Sequence, residues 1–135
     1  MRLKNYLEQH GNITEEIEFI QKNMNSVITE ELAVELAKHI NILAGRLNIH
    51  LTMEDKYLYP SLLSKEKQDL TYSIEEYMKE MSGLANAFTA FKEKYNTKPR
   101  FLSNKDTFKS DAKSIMNKIL LRISKEENTI YKLID

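Results

Sequence analysis

Apolar residues recur three and four positions apart in four successive stretches, and that spacing confines the chain to helices. The first stripe runs through Leu3, Tyr6, Ile13, Ile17 and Ile20 to Met24. The second is entered at Thr29, with Glu30 and Glu31 suited to a first turn, and runs through Leu36, Leu43 and Leu47 to Leu58. The third starts at about Asp69 and carries Ile74, Met78, Met81, Phe88 and Tyr95; the fourth starts near Asp106 and carries Phe108, Ile115, Ile119 and Leu133. A period of 3.6 residues puts each set on one helix face, wide enough to pack in a bundle. Three glycines and two prolines in 135 residues are too few for the corners of a β-rich fold. The fold class is therefore all-α. Short links at 25–28 and 64–68 force antiparallel neighbours, and the longer "NTKPRFLSN" at 96–104 reads as a loop. An up-down-up-down four-helix bundle follows, as a single domain over residues 1–135.

Twenty basic and twenty acidic residues cancel, which argues against nucleic acid or an anionic membrane as partner. The lysines between Lys92 and Lys109 are interspersed with acids and read as a solvated stretch. Without cysteine there is no disulfide, thiol chemistry or iron–sulfur cluster. "MRLKNYLEQH" lacks an apolar leader, and no segment approaches the roughly 20 apolar residues of a membrane span. The expectation is a cytoplasmic protein, monomer or homodimer.

Polar residues interrupt the stripes: His10 on the first, His39, His50 and Glu54 on the second, Arg122 and Glu126 on the fourth. An unpaired buried charge is costly, so these groups must meet each other, a metal or water. In an antiparallel pair, residues equidistant from the connecting turn share a height, and by that rule positions 10, 50, 81 and 122 lie at one level. Glu54 and Glu126 sit one turn further along, about 6 Å away. His10, His50, Glu54 and Glu126 form a donor set suited to iron, zinc or manganese. Met81 and Arg122, lining the same level, offer a soft thioether and a fixed cation instead. His39 falls roughly 16 Å from His50 along the axis and reads as a satisfied core or boundary histidine.

At these residues the chain resembles the hemerythrin-like HHE cation-binding family. The resemblance rests on His10 in "EQHGNI", on His50, Glu54, Tyr59 and Pro60 in "HLTMEDKYLYP", and on Glu126 in "RISKEENTIYK". It implies a four-helix bundle in which two irons are bridged by the two acids, with histidines of the first two helices on one iron and of the last two on the other. Met81 in "KEMSGL" and Arg122 stand where that pattern has its second pair of histidines. The losses empty one metal position and spare its neighbour.

The expectation is one iron ion, or zinc or manganese, on His10, His50, Glu54 and Glu126, with Arg122 replacing the second cation by pairing with Glu54 and Glu126. The alternative is a metal-free bundle acting as an interaction or structural module, in which the same pairing removes the need for an ion. A haem held between a histidine and Met81 is a further alternative, without any C-x-x-C-H for covalent attachment. Tyr59 and Tyr131 are expected beneath the site, closing the bundle end or donating to Glu54 and Glu126; Asp55 and Glu127 are expected in solvent. Roles implied by the resemblance are sensing, storage and binding of a small ligand such as dioxygen or nitric oxide. Loss of one iron argues against oxygen carriage, and no catalytic residue is assigned.

Overall fold

The computed structural model describes residues 3–65 and 68–134, the side chains of 65–72 excepted. Six helices follow in order: α1 (Leu3–Asn23), α2 (Glu30–Met53), α3 (Tyr59–Lys65), α4 (Gln68–Tyr95), α5 (Lys98–Ser103) and α6 (Lys105–Asn128). A π-helical turn, Glu54–Leu58, joins α2 to α3, and a 3-10 turn, Ile130–Leu133, follows α6. There is no strand among the described residues.

The four long helices form a ring, α1 and α4 each packing against both α2 and α6. They run antiparallel. His10 near the start of α1 meets His50 near the end of α2, and Arg122 near the end of α6 meets Tyr77 early in α4. Asn41 in the first half of α2 bonds Asn96 beyond the end of α4. The all-α, up-down-up-down bundle read from the stripes is the observed fold; of the 64–68 link, residues 66 and 67 lie outside the described residues.

Local chemistry explains the ends. Thr29 has extended backbone, and its hydroxyl accepts from the Leu32 amide, satisfying one of the free N–H groups that open α2. The stretch read as a loop at 96–104 is instead largely helical, as α5. Thr97 caps it through the Arg100 amide, and Pro99 falls in its first turn, where the fixed φ costs nothing. This short helix carries Phe101 fully into the core, edge-on to Tyr95 with ring centres 5.3 Å apart and 4.5 Å from Phe108.

Two apolar clusters result. The larger, from Ile17, Leu36, Phe91 and Phe108 to Leu47 and Ile119, fills most of the bundle. The smaller gathers Tyr6, Leu58, Tyr59, Leu62, Ile74, Ile130 and Tyr131 at the other end. His10, His50, Glu54 and Glu126 lie where they meet: Ile13 and Leu47, one turn from the histidines, belong to the larger cluster, and the tyrosines to the smaller.

The π-helical turn matters for what it aims. In an α-helix Tyr59, five residues after Glu54, would be about 140° round the axis from it. Here the Tyr59 amide bonds the Glu54 carbonyl, closing a five-residue turn that returns the tyrosine beneath the acid. Glu54, Leu58 and Tyr59 are all buried as a consequence.

Replacing Thr29 by Ala should destabilise the protein by about 1 kcal/mol, read as a lower urea midpoint at unchanged slope, and Asp at the same position should restore it.

Candidate metal centre

Four elements each deliver one side chain: His10 from α1, His50 from α2, Glu54 from the start of the π-helical turn and Glu126 from α6. All are 2% exposed or less. One ligand atom from each lies within 4.8 Å of all the others. His10 Nε2 is 3.1 Å from His50 Nε2 and 3.2 Å from Glu126 Oε1. His50 Nε2 is 3.2 Å from Glu54 Oε2 and 3.6 Å from Glu126 Oε1.

The outward nitrogens settle what the inward ones carry. His10 Nδ1 donates to Glu127 Oε2 at 2.8 Å, and His50 Nδ1 donates to Gln9 Oε1 at 2.8 Å. A carboxylate and an amide oxygen only accept, so both protons sit on Nδ1 and both Nε2 atoms turn lone pairs inward. Two lone pairs 3.1 Å apart repel unless a cation stands between or beside them. It must be a proton or a metal ion.

Without metal, it is a proton. Burial pushes the His50 imidazolium down, but the carboxylates of Glu126 and Glu54 outweigh it and hold the group up to about 9. Burial pushes Glu126 up, and the imidazoles of His10 and His50 beside it overcome that, bringing it down to about 2. Burial raises Glu54. An imidazolium on His50 thus stands against the Glu126 carboxylate, while Glu54 Oε1 has no partner among the described residues.

The donor set also fits a metal ion. Ligands about 2.0–2.1 Å from a tetrahedral ion stand about 3.3 Å apart. Four of the six separations among the donors, 3.1 to 3.6 Å, straddle that value, and all six lie within 4.8 Å. Imidazoles whose outer N–H is anchored, and carboxylates that accept from neighbours, are the usual surroundings of such a site.

The two tyrosines hold the carboxylates crosswise. Tyr59, from the Glu54 segment, donates to Glu126 Oε2 at 2.9 Å; Tyr131, from the Glu126 segment, donates to Glu54 Oε2 at 2.8 Å. Burial and both carboxylates push the two phenols far up, so they remain donors when no ion is present. Tyr6 packs against Tyr131 and His50, and burial, with Glu54, pushes it up to about 12.

The description of the hemerythrin HHE cation-binding domain matches residues 1–134. The chain belongs to the hemerythrin family. Comparison with curated proteins and with solved structures gave no match. Among the described residues no helix is long and apolar enough to cross a membrane.

Of the two departures from the hemerythrin pattern, Arg122 behaves differently from expectation. Arg122 does not pair with Glu54 or Glu126. Its guanidinium donates to Glu80 Oε2 at 2.6 Å and to the Tyr77 carbonyl at 2.8 Å, and lies 4.4 Å from the centre of the Tyr77 ring. The reason is competition: the tyrosines and imidazoles already occupy the inner carboxylates, whereas α4 presents a carboxylate, a carbonyl and an aromatic face together. Met81 is buried at the same level and lines a cavity of about 420 Å³ between α2 and α4 with Leu47, Leu51 and Phe88.

Glu127 is not merely solvated: its side chain, 40% exposed, reaches inward to His10. Asp55 does stay exposed. His39 bonds Glu16 and stacks on Phe19, ring centres 3.7 Å apart, away from the four donors. Gln9 and Glu127 were missed because each neighbours a donor in sequence, where a 100° helical step points away from the seam; the length of their side chains brings them back.

The metal-free protein should be most stable between about pH 4.5 and 6.5. His50, raised to about 9, contributes stability that is complete below its ordinary 6.5 and lost as pH climbs through 9. Glu126, lowered to about 2, contributes stability present above its ordinary 4.5 and lost as pH falls through 2. Raised Glu54 loses stability as pH climbs past its ordinary 4.5, which puts the maximum toward the acid end of that window. Melting curves of chelator-treated protein against pH, with a His50→Gln variant lacking the alkaline fall, check this.

Proposed function

We propose that this hemerythrin-like protein binds one non-haem metal ion on His10, His50, Glu54 and Glu126, iron foremost with zinc or manganese as alternatives, in a sensing, storage or small-ligand-binding role. The observation that carries the reading is the pair of facing Nε2 lone pairs, each fixed by a hydrogen bond on the far nitrogen. Charge agrees: two carboxylates and two neutral imidazoles balance a divalent cation in a buried site.

Bound there, an ion would supply Lewis acidity, redox chemistry where it is iron, and an open position for a small ligand such as dioxygen or nitric oxide. Glu127 and Gln9 orient the imidazoles. Tyr59 and Tyr131 orient the carboxylates, and the apolar clusters above and below exclude water. One ion rather than two is favoured because Met81 and Arg122 stand at the other position and offer it no hard donor. That makes reversible oxygen carriage by a diiron pair a poor fit. A monomer or homodimer in the cytoplasm, without nucleic acid or membrane as partner, accords with the balanced charge.

A metal-free interaction module is the second reading. What favours it is that one proton on His50 and the two phenol bonds already satisfy most of the cluster. It no longer needs Arg122, which is engaged elsewhere. A haem finds less support, since both Nε2 atoms face each other and the carboxylates.

Elemental analysis of protein purified without chelator, and again after anaerobic ferrous loading, should give close to one ion per chain; near-zero content in both would overturn the reading. His50→Ala should abolish the rise in melting temperature that metal gives the parent. Arg122→Met should lower the melting temperature equally with and without metal and leave the metal content unchanged, because Arg122 serves Glu80 and Tyr77.

A further inference from the structure

The two tyrosines look alike in sequence, each five residues after an acid, yet they stand differently toward the four donors. Tyr59 Oη approaches Glu126 at Oε2, whereas the oxygen of Glu126 that faces the imidazoles is Oε1. Tyr131 Oη is 2.8 Å from Glu54 Oε2, 2.9 Å from His10 Nε2 and 3.4 Å from His50 Nε2. These are the inward-facing atoms of three donors, and the separations match those of the donors from one another. Tyr59 is outside the donor set and Tyr131 is within it.

We propose that Tyr131 is a fifth donor to the ion, binding through its phenolate oxygen, and that the site is thereby matched to a trivalent metal, ferric iron first. This deepens the reading of the centre as a metal site and rests on it. Three further observations support the assignment. The ring is held in place, stacked on His10 with centres 4.9 Å apart and 20° between planes, and packed at 5.6 Å against Tyr6. It is 2% exposed, so water does not compete for its hydroxyl. The inward lone pairs of His10 and His50 are those an ion would take, so both nitrogens near this O–H would cease to accept from it.

Charge supplies the preference for oxidation state. Two carboxylates and one phenolate carry three negative charges, which a trivalent ion cancels and a divalent ion leaves in excess by one, unfavourable at this depth. On coordination the O–H bond breaks as the metal–oxygen bond forms, and the proton is released to solvent. No electron moves when the metal is supplied already trivalent.

The test uses the full chain, freed of metal by chelator and mixed with one equivalent of ferric nitrilotriacetate, then desalted. Iron content and the visible spectrum are read together, with resonance Raman excitation inside any new band. The parent and Tyr59→Phe should retain iron and show a phenolate-to-iron charge-transfer band with enhanced tyrosine ring modes. Tyr131→Phe should lose that band and hold ferric iron at least tenfold more weakly, with its affinity for zinc much less changed. Ring-deuterated tyrosine in the parent should shift the enhanced modes, a readout that does not depend on the variant folding.

Iron retained by the parent without the band would overturn the proposal alone, as would a band that survives in Tyr131→Phe. No iron retained by the parent, with no ferrous iron bound either, would overturn it together with the metal reading beneath it.

Discussion

Two imidazole nitrogens 3.1 Å apart in a water-free interior set the terms for what surrounds them. Each has given its proton to the far side of its ring, so the near sides repel until a positive charge joins them. Everything nearby can be traced to supplying or tolerating that charge. Glu54 and Glu126 balance it, Glu127 and Gln9 keep both rings turned inward, and the phenols hold the carboxylates in place. A bundle assembled from apolar stripes alone would need none of these residues.

The fold accommodates this polar layer by dividing its core. The larger apolar cluster fills the bundle from Ile13 and Leu47 onward, and a tyrosine-rich cluster closes the other end. Buried polar groups are tolerable only when they are nearly all satisfied. Glu54 Oε1 is the exception among the four donors, and it is an acceptor, the kind of atom a cation would complete.

The helices and the level of the site were legible because periodicity and antiparallel counting are both long-range regularities. His10, His50, Glu54 and Glu126 come together from four elements, as their heights along the bundle required. What escaped the sequence were departures from regular geometry. The helix at Lys98–Ser103 is only six residues long, too short for a stripe; Thr97 and Pro99 were its only signs. The π-helical turn breaks the 100° step on which face assignments rest: Tyr59 is expected beneath the site, but the turn that brings it there is not. Arg122 was assigned to the inner acids by height alone. Height does not say which neighbouring helix a long side chain will turn toward, and α4 offered better partners.

The crossed tyrosines carry a consequence for how the centre is used. Each phenol ties the acid of the opposite half of the chain, so the early segment around Glu54 and the late one around Glu126 are clasped reciprocally before any ion arrives. The ordering entropy of gathering distant ligands is then met when the chain folds rather than when metal enters. Such a socket could release and recapture an ion while the protein stays folded, its occupancy following the supply of the ion rather than the fate of the fold.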